Sequence, residues 1–350
     1  MTTFPGFQPI IDKLTRHEDL TTDEASLAMS EIMEGRAAPA HVSGLLIGLA
    51  MKGERPSEIV GLARAMRERA VRLSQRYDDV FDTCGTGGDR SGTFNISSCA
   101  AVVVAACGVR VAKHGNRSAS SQTGGADVYE ALGIRITAAP GVVERCLSDV
   151  GIGFFFAPTF HPSMRHAGPV RRELGIRTAF NLLGPLTNPA GAVRQIVGVS
   201  RPEFTELIAR ALLLLGTRRA WVVHGADGID ELTTAGYTKI SECKAGTVNT
   251  FYLHPSDVGL PKSPTSALAG GDAAANARII RSVLAGERGA ARDVVLLNAG
   301  AALFVAGHTP SVAAGIARAA QAIDSQDAAR ILARLIEVSS ADATAGAGAA

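Results

Sequence analysis

Residues 80–89 read VFDTCGTGGD, and residues 109–117 read VRVAKHGNR. Each stretch begins with the apolar residues of a short strand and ends in a polar loop. Residues 99–107, which lie between them, have the alanine- and valine-rich composition of a buried helix. A strand, a loop, a helix and a second strand in this order are typical of parallel α/β proteins. The stretch therefore predicts an α/β fold with a mainly parallel central sheet flanked by helices.

The same patterns extend in both directions. Further buried strands are predicted at 153–156, 195–199 and 220–224, and helices at 140–150, 202–215, 272–284, 290–306 and 312–324. Residues before the first strand carry only helical patterns: Thr21 and Glu24 match a capping box, and Pro39 and Pro56 each open another helix.

These patterns predict two domains. We expect a small all-helical domain over residues 1–75, joined by helices from about 161–190, and an α/β domain over 76–338. The small residues of 339–350 predict a disordered tail.

Composition and charge limit the classes of protein to which the chain can belong. A net charge of +2, without a concentrated basic stripe, argues against a nucleic-acid partner. No stretch approaches the ~20 apolar residues of a membrane span, and the first residues lack a signal-peptide pattern. The five cysteines lack CxxC spacing, which argues against a zinc site or a disulfide framework. We therefore expect a cytoplasmic protein with neither nucleic-acid nor membrane partners.

Two polar loops carry the strongest functional signal. The glycine loop, residues 85–93, reads GTGGDRSGT, and the second loop, residues 113–121, reads KHGNRSASS. Glycine backbone N–H groups and helix N-termini bind anions, while lysine, arginine and serine side chains add charge and donors. The glycine loop matches neither GxxxxGK[ST] nor the full GxGxxG fingerprint. We interpret the two loops as a cradle for a phosphorylated sugar.

Asp230 and Glu231, here called the acidic pair, follow the predicted strand 220–224. Adjacent carboxylates repel each other unless a cation joins them, and Mg²⁺ prefers a few carboxylates together with substrate phosphates. The acidic pair therefore predicts ligands for metal-bound pyrophosphate, with an exposed acidic turn as the alternative. Asp227, in the same loop, fits either interpretation.

An arginine-rich stretch, HPSMRHAGPVRRE at 161–173, contains Arg165, Arg171 and Arg172. The bidentate fork of arginine suits a carboxylate ligand. From spacing alone, a surface position remains the alternative for each of the three.

In content and order these stretches resemble the anthranilate phosphoribosyltransferases of tryptophan biosynthesis. The matching motifs are GTGGD (85–89), TFNIS (93–97), KHGNRS (113–118), HPSMRH (161–166), GPVRRELGIRT (168–178), NLLGPLTNP (181–189) and DGIDE (227–231). The resemblance covers about residues 8–335. It implies transfer of the 5-phosphoribosyl group from 5-phosphoribosyl 1-pyrophosphate (PRPP) to the amine of anthranilate. It further implies two Mg²⁺ ions, one of them carried with PRPP, and a homodimer joined through the helical domains.

The resemblance assigns site residues position by position. PRPP contacts are implied for Gly85, Gly88, Asp89, Thr93, Asn95, Ile96, Ser97, Ser98, Lys113, His114, Gly115, Asn116, Arg117, Ser118, Ala119, Ser120, Ser121 and Gly125. Anthranilate contacts are implied for Gly85, His114, Asn116, Arg171, Gly184 and Pro185. The implied Mg²⁺ ligands are Ser97, Asp230 and Glu231.

One position departs from the family pattern. Residues 123–127 read TGGAD where the family commonly has SGSAD, so Gly125 lacks a hydroxyl. We expect weaker sugar-phosphate binding there, offset in part by a backbone N–H, and not a loss of activity.

Two alternatives stay open at this point. A pyrimidine nucleoside phosphorylase of the same fold would use inorganic phosphate and would need no pyrophosphate-bound metal. The acidic pair and Asp89 favour the transferase over it. A non-catalytic paralogue that binds nucleic acid is disfavoured by the near-neutral charge and by the retained Asn116 and Arg171.

Overall fold

The computed structural model describes residues 3–118 and 122–345, and in this part of the chain the central feature is a seven-stranded sheet. The strands are β1 (Phe81–Thr83), β2 (Val111–Gly115), β3 (Ile152–Phe156), β4 (Arg194–Gly198), β5 (Arg219–Gly225), β6 (Thr238–Lys244) and β7 (Thr247–Leu253). Their lateral order is β3-β2-β1-β4-β5-β6-β7. Strands β1 to β5 are parallel, and β6 and β7 are antiparallel additions at one edge.

Four helices precede the sheet: α1 (Phe7–Thr15), α2 (Thr22–Met33), α3 (Pro39–Lys52) and α4 (Pro56–Glu68). The helices that follow β1 are α5 (Ile96–Ala106), α6 (Gly125–Leu132), α7 (Pro140–Arg145), α8 (Ala157–Phe160), α9 (Gly168–Leu174), α10 (Phe180–Leu183), α11 (Phe204–Leu214), α12 (Ala273–Leu284), α13 (Ala290–Ala306), α14 (Val312–Asp324) and α15 (Asp327–Ala345). None of the helices in the described residues combines the length and apolar character that a bilayer crossing requires.

The capping box predicted at the start of α2 is confirmed. Glu24 N donates to Thr21 Oγ1 at 3.2 Å, and Thr21 N donates to Glu24 Oε2 at 2.9 Å. Each side chain thus satisfies a backbone donor that the first helical turn leaves free.

The segment 161–190 packs against the N-terminal helices. Val170, Leu183 and Leu186 are buried in the same apolar cluster as Leu45 of α3. Arg67 of α4, whose side chain is half-buried, donates from Nε to the carbonyl oxygen of Leu186 at 2.6 Å. The helical bundle and the loops at the sheet are therefore in direct contact through this segment.

The predicted disordered tail is wrong for residues 339–345, which continue α15. Ser339 is buried, and its hydroxyl accepts the backbone N–H of Arg135 at 3.1 Å. The small residues near Ser339 suit a helix that packs closely against the domain. Residues 346–350 lie outside the described residues.

Candidate active site

The candidate site lies where the strand order reverses. Strand β1 connects onward to β2 on one side, whereas its other neighbour, β4, connects onward to β5 in the opposite direction. Ligands of open parallel sheets bind at such a switch point. A small cavity opens there, lined among others by Thr83, Gly85, Ser97, Asp230 and Glu231.

The glycine loop wraps around the carboxylate of Asp230. Gly87 N donates to Asp230 Oδ2 at 3.0 Å, and Thr86 N donates to the Gly198 carbonyl oxygen at 2.8 Å. A Cβ built on Gly85 would lie 3.0 Å from the same Oδ2 atom. A side chain at position 85 would therefore crowd the carboxylate, and glycine permits the close approach.

Glu231, the second member of the acidic pair, lies at the N-terminus of α5. Its Oε1 atom accepts the backbone N–H of Ser97 at 3.0 Å. The helix begins at Ile96, three residues before the start expected from sequence, which places Ser97 and Ser98 in its first turn. Free N–H groups and the helix dipole favour negative charge at this point.

Burial raises the pKa of Asp230 well above its usual range, and the charge of Asp89 adds to the shift. Burial and the charge of Asp230 raise the pKa of Glu231 to about 8. Three carboxylates at close quarters in a desolvated cleft repel one another, and a divalent cation relieves that repulsion. This donor set fits Mg²⁺, which takes carboxylate oxygens.

Lys113 and Asp82 form a buried charged centre behind the loops. Lys113 Nζ donates to the carbonyl oxygen of Thr83 at 2.5 Å, at the end of β1. The Asp82 carboxylate accepts the backbone N–H of His114 at 3.2 Å and the amide of Asn188 at 2.8 Å. Asn188 also donates to the Ala112 carbonyl oxygen at 2.8 Å, so its one amide links the ends of β1 and β2.

The side chains of Asp82, Cys84 and His114 lie together, with one ligand atom of each within 4.8 Å of the others. Burial raises the pKa of the Cys84 thiol, which disfavours the thiolate that a metal requires. The Asp82 carboxylate already has two donors. We interpret this cluster as support for the strand ends.

The second loop is held by α6. Asp127 Oδ2 accepts the backbone N–H groups of Ser118 at 3.1 Å and Gly124 at 2.9 Å. Arg117 binds Asp127 and Glu130 and is directed to this helix. Asn116 is exposed, and its Oδ1 accepts the Arg117 N–H at 2.8 Å. The implied contacts Ala119, Ser120 and Ser121 lie outside the described residues.

Other residues implied by the resemblance are occupied in structural bonds. Asn95 donates to the Thr123 carbonyl oxygen at 3.2 Å and accepts from Asn276 at 3.0 Å, so it links both loops to α12. Ile96 is 1% exposed, which leaves only its backbone for a ligand. Thr93 is half-buried, and its hydroxyl lies 3.1 Å from that of Ser91.

Gly115 and Gly125 differ in how much space surrounds them for a side chain. A Cβ on Gly115 would lie 2.8 Å from the Phe154 ring. A Cβ on Gly125 would lie 3.5 Å from Ser98 Oγ, an ordinary contact. A larger residue therefore fits at position 125, the first residue of α6, but not at position 115.

His114 connects the second loop to the segment 161–190. Its Nδ1 atom lies 2.9 Å from the carbonyl oxygen of Gly184 and must donate, so Nε2 keeps a lone pair. Burial lowers the pKa of His114 to about 3 and that of the adjacent His161 to about 4. Both rings are therefore neutral near pH 7, and within the described residues neither Nε2 atom has a hydrogen-bond partner.

Arg171 lies on α9, and its guanidinium carbon is 5.0 Å from the centre of the Phe180 ring. Phe180 begins α10, which leads directly to Gly184 and Pro185. Burial lowers the pKa of Arg171, which nevertheless remains a cation. Arg171 thus contacts the start of the α10 segment, and His114 contacts Gly184 just after its end, whereas Arg172 is exposed.

Sequence reasoning assigned no role to Arg177 or Asn188, although both stand in the quoted motifs. Arg177 Nη1 donates to the Gly87 carbonyl oxygen at 2.8 Å. Gly87 is 90 positions from Arg177, and Asp82 is 106 positions from Asn188, so no local pattern could have indicated these contacts. Asp227 is held by the hydroxyls of Thr233 and Thr265, which favours a structural role for it.

Comparisons with known proteins agree with this architecture. Residues 77–329 match the α/β domain of the glycosyl transferase family, and residues 8–70 match the helical bundle domain of that family. An anthranilate phosphoribosyltransferase of Symbiobacterium thermophilum is 52% identical over 94% of this chain and 96% of the relative.

Solved structures of such enzymes share the fold. The Thermus thermophilus anthranilate phosphoribosyltransferase is 45% identical, with a TM-score of 0.89 over 94% of this chain and 98% of that one. The Saccharomyces cerevisiae enzyme in complex with PRPP and Mg is 28% identical, with a TM-score of 0.87 over 96% and 98%. Its complex with 4-fluoroanthranilate is 27% identical, with a TM-score of 0.85 over the same shares. Because identity of about one half extends over nearly the full length of both chains, this chain belongs to the anthranilate phosphoribosyltransferase family.

Proposed function

We propose that this protein transfers the 5-phosphoribosyl group of PRPP to the amine of anthranilate, in tryptophan biosynthesis. The products are N-(5-phosphoribosyl)anthranilate and pyrophosphate. One observation carries the proposal: the glycine loop, the N-terminus of α5 and the acidic pair meet at a single point. The Gly87–Asp230 and Ser97–Glu231 hydrogen bonds, both 3.0 Å, define that point. A phosphorylated, metal-bound substrate complements its donors and its carboxylates together.

Mg²⁺ would be held by Asp230 and Glu231, with Ser97 beside them, and we propose two ions, one of which arrives with PRPP. The yeast relative holds PRPP and Mg, which supports a metal-dependent donor site here. When bound, Mg²⁺ supplies positive charge to the leaving pyrophosphate.

On the donor side, we propose that Lys113 and the glycine loop orient PRPP. The amine nitrogen forms a bond to C1′ of the ribose while the C1′–oxygen bond to pyrophosphate breaks, and the nitrogen then releases a proton to water. Positive charge develops on the ribose ring as pyrophosphate leaves. Lys113 is only 5% exposed, so its charge acts in a poorly solvated place.

On the acceptor side, we propose that Arg171 binds the anthranilate carboxylate and that Asn116, Gly184 and Pro185 line its pocket. The yeast relative binds 4-fluoroanthranilate, which supports an aromatic acceptor. Because His114 is neutral near pH 7, we assign selection of the carboxylate to the cation Arg171. An aromatic amine is already neutral at pH 7, so orientation and electrostatics suffice for attack.

The decisive experiment follows anthranilate fluorescence with PRPP and Mg²⁺, with and without a chelator. We expect metal-dependent loss of fluorescence with one pyrophosphate released per anthranilate consumed. Fluorescence that persists, while phosphate cleaves thymidine or uridine, would reject the transferase in favour of a nucleoside phosphorylase.

We further propose a cytoplasmic homodimer joined through the helical domain. Ile47 and Met51, one turn apart on α3, are 37% and 76% exposed, and an apolar contact between subunits would cover them. All five cysteines are free, as suits a reducing compartment.

A further inference from the structure

Arg177 reaches from the connection between α9 and α10 to the glycine loop. Its Nη1 atom donates to the Gly87 carbonyl oxygen at 2.8 Å. A Cβ built on Gly88 would lie only 1.7 Å from the same nitrogen. The guanidinium therefore lies directly on the loop backbone, in space that a glycine at position 88 leaves free.

The other terminal nitrogen of this guanidinium is not used. Nη2 is buried and has no hydrogen-bond partner within residues 3–118 and 122–345. A buried donor without an acceptor is costly, and folded proteins rarely retain one without a reason. At a loop built to receive an anion, a ligand oxygen is the natural acceptor.

The surroundings of Arg177 carry both signs of charge. The carboxylates of Asp230 and Asp89 and the guanidinium groups of Arg201 and Arg90 all act on it electrostatically. A phosphate anion accompanied by a divalent cation complements such a mixture, because each of its parts meets groups of opposite charge.

We propose that Arg177 binds the diphosphate part of the sugar-phosphate substrate. Nη1 stays on the Gly87 carbonyl oxygen and fixes the guanidinium plane, and Nη2 donates to a phosphate oxygen. Arg177 lies only six residues after Arg171, so the segment that provides the acceptor arginine also closes over the donor. This inference rests on the proposed function for the identity of the substrate, but its test uses inorganic pyrophosphate alone.

The test measures binding of inorganic pyrophosphate with Mg²⁺ to the full chain by calorimetry. Arg177→Lys keeps the charge but replaces the two terminal nitrogens with a single ammonium nitrogen, and we expect about tenfold weaker binding. Arg177→Gln also removes the charge, and we expect a loss of about 30-fold or more. Arg210→Gln, at an exposed position on α11, is the matched control and should bind as the wild type does.

Binding by Arg177→Lys within twofold of the wild type would overturn the role of Nη2, and the same result for Arg177→Gln would overturn the proposal entirely.

Binding of 4-fluoroanthranilate to the same variants should change less than twofold, because a general distortion would weaken both ligands. Equal losses for both ligands would also reject the proposal. Adding methylguanidinium to Arg177→Ala should restore part of the pyrophosphate affinity. A merely structural role of Arg177 would not predict this recovery. A wild type that binds pyrophosphate but leaves anthranilate unchanged would refute the proposed function and leave this inference standing.

Discussion

Asp230 and Glu231 place two negative charges where burial disfavours each of them, and this cost is the basis of the first prediction. We expect the double substitution Asp230→Asn and Glu231→Gln to lower kcat/KM at saturating Mg²⁺ by at least about 100-fold, because the isosteric amides cannot balance a cation. Steady-state assays over a range of Mg²⁺ concentrations will measure it.

Asp227→Asn is the matched control, since Asp227 lies in the same loop but is held by Thr233 and Thr265. Its kcat/KM should stay within about threefold of the wild type. Unchanged turnover in the double variant would reject the metal assignment.

His161 gives a prediction about stability and pH. The pKa of His161 is about 4 in the folded protein, whereas the ordinary value for histidine is 6.5. Between these pH values the unfolded chain therefore binds more protons than the folded chain. Folding stability is therefore lost as pH falls below 6.5, by about 1.4 kcal/mol at pH 5.5 for this residue. Urea unfolding should show that His161→Asn loses less folding stability between pH 7.5 and 5.5 than the wild type does, by about that amount.

The control for this measurement is His17→Asn, because His17 is exposed. That variant should follow the pH dependence of the wild type. If His161→Asn follows it too, then the buried ring does not contribute as we predict.

Gly125 tests how much one hydroxyl matters. A serine fits at the first residue of α6, since its Cβ would lie 3.5 Å from Ser98 Oγ. We expect Gly125→Ser to lower the KM for PRPP about two- to fivefold through one added neutral hydrogen bond, with the KM for anthranilate unchanged. A KM for PRPP that stays the same or rises would show that the hydroxyl adds nothing to the binding that the backbone N–H provides.

At the scale of elements, the glycine loop offers a matched pair of substitutions. Gly87 and Gly88 have φ of 63° and 80°, so alanine is strained by about 1 kcal/mol at either position. At position 88 the new Cβ would meet Arg177, whereas at position 87 no atom of the described residues lies within 4 Å. Gly88→Ala should therefore lower kcat/KM for PRPP at least about tenfold more than Gly87→Ala. Similar losses in both variants, measured alongside melting temperatures, would contradict a role for the Arg177 contact.

Elements with a strong local signal were predictable from the sequence. The buried strands β1 to β5 lie within two residues of their predicted positions, and α13 and α14 have the predicted bounds. The hairpin of β6 and β7 was missed because its turn, Ala245–Gly246, puts an alanine where φ is 49°. Asparagine or glycine there would have been the usual signal. The end of helix α15, residues 339–345, was missed because its small residues suggested disorder.

Only those parts of the site that belong to a recognisable motif were predictable from the sequence. The loops and the acidic pair could be named, but the distances that join residues 87 and 230, or 82 and 188, depend on strand order. Arg117 illustrates the limit: its position in the second loop suggested a phosphate contact, yet Asp127 and Glu130 bind it. The other PRPP, anthranilate and Mg²⁺ contacts that the sequence indicates stay predictions.

At the scale of the whole molecule, the exposed apolar face of α3 predicts the state of assembly. Light scattering should give twice the mass of the chain for the wild type. Ile47→Glu with Met51→Glu should give a single chain, because paired carboxylates cannot be buried without partners.

Leu214→Glu provides the control, since Leu214 is 56% exposed on α11, outside the N-terminal helices. It should leave the mass at that of two chains. A wild type with the mass of one chain would refute the proposed dimer, and dissociation by Leu214→Glu would move the interface away from α3.

The segment 161–190 has a consequence for how new activities can arise. Arg171 and Gly184 lie within this insertion between β3 and β4, whereas the glycine loop and the second loop leave β1 and β2. In the proposed site, Arg171, Gly184 and Pro185 thus concentrate much of the recognition of the amine in a contiguous stretch of some thirty residues, while Asn116 in the second loop completes the acceptor pocket. Exchange of that stretch among relatives, with Arg177 kept, provides a route by which evolution or directed evolution can recruit other amines to the same phosphoribosyl donor.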